Sequence, residues 1–160
     1  MRSKKENECD LKIGRYHFGY VCEILPTRNE DGSVKEFMPQ GRYENIKGLP
    51  LNKYGAGPYC EFNIPTNYNY SGVYALLVDG EVKYIGECQN LSSRYNMGYC
   101  NISPRNCFIG GQETNCRINN LILGAARKGR AISLWFMPTE KYKKVEQELR
   151  ELLGPEWNRV

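Results

Sequence analysis

Three features predict an α+β fold for this 160-residue chain: two strand-like runs about an Asp-Gly turn, and two later stretches whose apolar residues recur at helical spacing. The runs lie in SGVYALLVDGEVKYIGECQNLSSR, residues 71–94; the amphipathic stretches cover about 115–128 and 142–153.

Val73 to Val78 is continuously apolar between Gly72 and Asp79-Gly80, and Glu81 to Ile85 continues in polar and apolar alternation. Such runs about a short turn read as a β-hairpin. It carries Tyr74 and Tyr84, and Arg94 follows ten residues after Tyr84. Two phenolic hydroxyls and a guanidinium at that spacing can gather around one phosphate, provided the tyrosines share a face. Side chains alternate along a strand, so a two-residue turn opposing Val78 to Glu81 would send the tyrosines to opposite faces. A three-residue loop, Val78-Asp79-Gly80 with Gly80 left-handed, opposes Leu77 to Glu81 and sets Tyr74 directly across from Tyr84. The longer loop is the expectation.

Gly86 ends the second strand, and Asn90 or Ser92 caps a short helix carrying Leu91, Arg94 and Tyr95. Nearer the C-terminus, Pro138-Thr139 starts a helix on which Tyr142, Val145, Leu149, Leu152 and Leu153 form one stripe, stopped by Gly154-Pro155. On a helical wheel Glu146 falls about 70° from the centre of that stripe, whereas Gln147 and Glu151 point well away. Glu146 is thus a carboxylate at the edge of a buried face. Its alternative role is an exposed i,i+4 pair with Arg150.

Gly72-Val73-Tyr74, Tyr84-Ile85-Gly86, Arg94, Glu146 and Asn158 together resemble the GIY-YIG nuclease superfamily, in order over residues 72–160. Valine stands at the usual isoleucine of the first motif, and the second motif is unchanged. Family members end on a glutamate followed by proline nine and asparagine twelve residues later; Glu146, Pro155 and Asn158 fit that frame and Glu148 does not. The resemblance implies a GIY-YIG-type core, a three-stranded antiparallel sheet flanked by helices, whose third strand is Ala131 to Met137. A helix from about Asn115 to Lys128, with Ile118, Leu121, Ile122 and Ala125 on one face and Gly129 as its stop, precedes that strand. Residues 71–160 then form the catalytic core. Residues 1–70 form a small N-terminal β/loop extension packed on it and available for DNA recognition.

Phosphodiester cleavage needs a nucleophilic water, a charge sink for the phosphoryl oxygens, and help for the departing 3′ oxygen. A carboxylate such as Glu146 can hold one Mg²⁺ or Mn²⁺ per active site. Arg94 supplies permanent charge at the phosphate. A tyrosine near pKa 10 is a poor base at neutral pH unless a metal or Arg94 lowers that value. The resemblance implies a tyrosine base and leaves open whether Tyr74 or Tyr84 serves; it gives Asn158 an anchoring role.

The composition, 41% hydrophobic and 25% charged, is that of an ordinary globular protein, and no apolar run is long enough to span a membrane. The start MRSKKENECD lacks an apolar core, so no signal peptide is expected. The net charge of +4 is unevenly placed: residues 94–160 hold 11 Lys or Arg against 6 Asp or Glu. Arg105, Arg117, Arg127, Lys128, Arg130, Lys141, Lys143 and Lys144 are candidates for tracking phosphates, with Arg42 in the extension beside them. Seven cysteines, Cys9, Cys22, Cys60, Cys88, Cys100, Cys107 and Cys116, point to reduced thiols in a cytoplasm. No C-x-x-C pair accompanies them, so no structural zinc is expected. His17 lies in the strand-like run Tyr16 to Leu25, where a packed or exposed histidine outweighs a ligand, and Asn29 to Ser33 reads as a turn.

The resemblance makes a metal-dependent DNA endonuclease the leading function. The short extension, with no zinc finger, helicase or long linker, favours a site-specific restriction-type enzyme, for which a homodimer cutting both strands is the expectation. The alternatives are a structure-specific repair or mobile-element nuclease, and a DNA-binding module that has kept the fold without cleavage.

Overall fold

A computed structural model describes residues 10–158 of the chain, so Cys9 and the remainder of the N-terminal tail lie outside the described residues. Its strands are β1 (Asp10–Ile13), β2 (Tyr16–Glu23), β3 (Gly72–Val78), β4 (Glu81–Cys88) and β5 (Ile132–Pro138). Its helices are α1 (Leu91–Arg94), α2 (Glu113–Arg127) and α3 (Tyr142–Leu153). The strands form one antiparallel sheet in the order β1-β2-β5-β3-β4.

The fold is α+β, but the sheet has five strands rather than three. The β1–β2 hairpin, from the stretch read as an extension, pairs along β5 and covers what would otherwise be an open edge. β3 runs between β5 and β4 with every residue buried, which explains its unbroken apolar sequence.

The hairpin loop also differs from expectation. Val78 opposes Glu81 across a two-residue turn, Asp79-Gly80, with both residues at positive φ (51° and 80°). A β-bulge restores the parity that this turn would have broken. Leu77 pairs with Val82 but Leu76 pairs with Tyr84, leaving Lys83 as the extra residue. Tyr74 therefore sits across from Gly86, not Tyr84, yet both tyrosines emerge on one face.

The opposite face of the sheet holds the core. Val73, Ala75, Leu77 and Ile85 pack with Ile13 and Phe18, and against Val145 and Leu149 of α3. Full burial of each Val, Leu or Ile side chain contributes about 1.5–3 kcal/mol. Gly154, in the left-handed conformation at φ 50°, ends α3 as the Gly-Pro signal required.

The chain divides into two compact units. The first comprises the sheet, α1 and α3: residues up to Ile24, Ile64–Arg94, and from Ala131 onward. The second comprises Leu25–Asn63 and Tyr95–Arg130. Its loops are stitched together by asparagines. Asn119, fully buried, donates to the carbonyls of Cys60 and Tyr99 at 2.9 and 2.8 Å and accepts from the Cys60 N–H at 3.0 Å. Asn52 donates to the Asn106 carbonyl at 2.6 Å. Beneath them Tyr59, Ile102, Cys107 and Cys116 form a small core. The second unit carries ten Lys and Arg against six Asp and Glu, while the first carries twelve of each, so the whole net charge of +4 belongs to the second. Among the described residues no helix is long and apolar enough to cross a membrane.

Candidate active site

The strand β4 organises the candidate residues. It is an edge strand, with Gly86 across from Tyr74 and Ile85 bonded to Asn158.

Tyr74 and Tyr84 lie side by side on one face, ring centroids 6.1 Å apart and planes at 42°. Tyr74 is 1% exposed and Tyr84 8%. Gly86 leaves room for the Tyr74 ring, since a Cβ there would lie 2.3 Å from Tyr74 Cζ and 2.4 Å from its hydroxyl. Phe136 opposes Tyr74 on β5, and Tyr68 meets Phe136 edge-on at 6.3 Å.

Asn158 binds the backbone of Ile85, between Tyr84 and Gly86. Its Oδ1 accepts from the Ile85 N–H at 2.9 Å and its Nδ2 donates to the Ile85 carbonyl at 2.8 Å, standing in for one residue of a missing neighbour strand. The bulge residue Lys83 holds the same C-terminal turn through Glu156 Oε2 at 2.7 Å.

Glu146 projects from α3 with its side chain 14% exposed and accepts a hydrogen bond from Arg150 Nη1 at 3.3 Å. Both sequence-derived roles therefore coexist: it borders the buried face and forms the i,i+4 pair. Burial holds its carboxyl above the usual range; Arg150 opposes the rise and the charge of Glu87 adds to it. Glu87 follows Gly86, and alternation turns it toward the side of the sheet that α3 covers. Glu148 is differently placed. It accepts from Arg15 Nε at 3.0 Å and the Tyr16 hydroxyl at 2.5 Å, and these bonds hold its carboxyl below the usual range.

Glu146 and Asn158 share an open cleft of about 470 Å³, bordered also by Lys143, Gln147, Arg150, Glu151, Gly154 and Pro155. Gln147 and Glu151, off the apolar stripe, bond each other across its rim at 3.2 Å.

Arg94 ends α1, partly exposed, before the chain widens into a π-helical turn over Tyr95–Tyr99. Asn90 caps this helix, its Oδ1 accepting from the Ser93 N–H at 3.0 Å. Burial pushes the Cys88 thiol up to about 11; Glu87 adds to the rise and the Arg94 charge opposes it. The Glu87-Cys88 end of β4 is thus within electrostatic reach of both Glu146 and Arg94.

Of the candidate DNA-contacting residues, Arg42, Arg105, Arg117, Arg127, Lys128 and Arg130 fall in the second unit, and Lys141, Lys143 and Lys144 in the first. Arg42 is exposed on the Pro39–Arg42 turn. Arg105 donates to the Ile109 carbonyl at 3.2 Å and lies 5.8 Å over the Tyr43 ring. Arg117 is partly exposed on α2, Arg127 is ion-paired with Glu36, and Lys128 and Arg130 are exposed beyond the helix. Among the described residues, no three His, Cys, Asp or Glu side chains gather as a metal cage. His17 pairs with Asp10 at 3.0 Å on the surface.

The sequence did not single out Glu87 or Lys83, and it offered Ser92 only as an alternative cap to Asn90. Glu87 had a signal, since it alternates with Ile85 and so faces α3. Lys83 had none, because its role depends on a bulge, and the bonds of the Ser92 hydroxyl depend on a loop from elsewhere in the chain.

The fold is an antiparallel sheet flanked by helices, and it is shared with a solved structure of a bacteriophage T4 EndoII mutant. The TM-score is 0.51 at 18% identity, over 88% of this chain and 91% of that one. At that identity the likeness is one of fold. No family model matches the sequence, and no curated protein matches it.

Proposed function

We propose that the protein is a DNA endonuclease of the GIY-YIG type, hydrolysing phosphodiester bonds with one Mg²⁺ or Mn²⁺ per active site. The observation that carries this reading is the adjacency of Tyr74 and Tyr84 on one face of the sheet, with Asn158 holding the Ile85 backbone beside Tyr84. Its fold likeness to EndoII, by name an endonuclease, agrees with it.

The donor set suits a hard divalent ion. Glu146 is a largely desolvated carboxylate on an open cleft, with the Glu87 charge nearby, and a cation would relieve both the desolvation and the repulsion. Glu146 would hold the ion. Bound there, the ion would supply positive charge against the scissile phosphate. Arg94 donates two parallel N–H···O bonds to the phosphate and stays charged throughout. Tyr84, the more exposed phenol, orients or deprotonates the attacking water, and Tyr74 fixes its ring from the side. Asn158 contacts no reacting atom; it holds the Ile85 backbone, and so Tyr84, in place.

The finer reading is a site-specific restriction-type enzyme working as a homodimer, with the second unit supplying phosphate and base contacts. The confinement of the net charge to that unit supports it. The near-complete burial of Tyr74 favours the alternative of a binding module, which the same experiment separates.

That experiment is incubation of the protein and of Glu146→Ala with plasmid and unmethylated phage DNA, with Mg²⁺, Mn²⁺ or chelator. Discrete metal-dependent fragments from the wild type alone fit the restriction reading. Nicked circles or a smear fit a structure-directed repair or mobile-element nuclease. DNA bound but intact in every lane rejects cleavage.

A further inference from the structure

We infer that Ser92 is a positioning residue for Arg94. This inference rests on the nuclease reading for its catalytic consequence, and on geometry alone for the positioning itself. The helix α1 is four residues long, too short to hold its own shape in water. Arg94 is its last residue, so bonds from this turn to the rest of the fold must fix it.

Ser92 does so through a doubly used hydroxyl. The residue is 4% exposed. Its Oγ donates to the Pro65 carbonyl at 2.7 Å and accepts from the Tyr68 N–H at 2.9 Å. Its own N–H donates to the Tyr68 carbonyl at 3.1 Å, and the Leu91 N–H to the Tyr70 carbonyl at 3.3 Å. Residues 65–70 thus dock against the turn that ends in Arg94, and the hydroxyl is the only side-chain group in these four bonds.

The same segment reaches the tyrosine face. Tyr68, held at its N–H by Ser92, places its ring edge-on to Phe136, which opposes Tyr74 on β5. One buried hydroxyl therefore ties the register of the arginine turn to the strand surface bearing the phenols. A buried serine with both hydrogen-bonding capacities used leaves two orphaned backbone groups when the hydroxyl is removed, and the segment relaxes to rehydrate them.

The test compares wild type, Ser92→Ala and Ser92→Cys in the full chain, well below their melting temperatures. Two quantities are read: kcat and KM for DNA cleavage, and NMR relaxation of the Arg94 Nε–H bond without DNA. Positioning predicts a fall in kcat of about 10²-fold for Ser92→Ala, with KM little changed, and a more mobile Nε–H. Ser92→Cys keeps the volume with a weaker donor and should fall between; it carries the test if the alanine variant does not fold. An Nε–H as rigid as in the wild type, with kcat unchanged, would overturn the inference even if the melting temperature drops. Absence of cleavage by the wild type would reject the nuclease reading, and the Nε–H measurement would still decide the role of Ser92.

Discussion

Gly86 lies directly across from Tyr74, whose hydroxyl fills the space into which a side chain at position 86 would project, 2.4 Å from the position of its Cβ. The backbone of Gly86 is in an ordinary extended strand, so space rather than conformational freedom demands glycine here. The neighbouring atoms are a ring packed against Tyr84 and cannot swing clear cheaply.

Gly86→Ala should therefore displace the Tyr74 ring and destabilise the protein by about 1–3 kcal/mol, the usual cost of overpacking. Denaturant unfolding measures the loss. Cleavage should fall further than stability predicts, since both phenols move. An alanine variant of wild-type stability and activity would mean that the ring has another place to go.

Glu146→Gln separates charge from shape. Burial raises the folded-state proton affinity of Glu146 above that of the unfolded chain, so its contribution to stability is fully present at pH below the unfolded value and is lost as pH rises through the folded one. At neutral pH the ionised carboxylate is therefore a liability. The glutamine variant should melt at a higher temperature than wild type at pH 7 and at a similar one at pH 3, while cleaving no DNA. A variant less stable at pH 7 would show that the Arg150 pair outweighs desolvation.

Glu148→Gln should behave in the opposite way. Its hydrogen bonds from Arg15 and Tyr16 lower its folded-state value, so the stabilisation is present above the unfolded value and lost as pH falls through the folded one. The variant should lose a little stability at pH 7 and none at pH 2, with cleavage retained. Loss of cleavage without loss of stability would shift the catalytic carboxylate from Glu146 to Glu148.

Asn158→Ala removes both partners of the Ile85 backbone. Leaving those groups unsatisfied costs about 1–3 kcal/mol where water cannot replace the amide, and less where it can. Amide hydrogen exchange at Ile85 reads the change directly, and its protection should collapse in the variant. Persistent protection would mean that another group takes the place of the amide.

Salt dependence of DNA binding tests the second unit. Lys128→Ala and Arg130→Ala should each reduce the slope of log K against log salt by about 1 if they contact phosphates. Arg127→Ala should have a smaller effect, because Glu36 already neutralises that guanidinium. Unchanged slopes for all three would place the DNA elsewhere.

Local chemistry was legible wherever neighbours in sequence suffice. The Asp79-Gly80 turn signal marks the hairpin, though with a two-residue rather than a three-residue loop, and α3 stops at Gly154-Pro155 with Glu146 bordering the buried face. Of its apolar stripe Val145 and Leu149 are buried while Leu152 and Leu153 are exposed. Non-local pairing was not legible. The β1–β2 hairpin joins β5 across more than a hundred residues of chain, and no feature of Tyr16–Glu23 announces which edge it will cover.

The sequence by itself determined which residue types are available: two phenols on a hairpin, an arginine ten positions on, and a carboxylate on an amphipathic helix followed by an asparagine. Only the tertiary structure decided how the phenols come to share a face. Strand parity under a two-residue turn forbids it, and a bulge at Lys83, whose side chain is tied to Glu156 from the far end of the chain, reverses that parity. Periodicity is a local property that sequence carries, whereas register is settled by whichever distant groups hold the strand once it is folded.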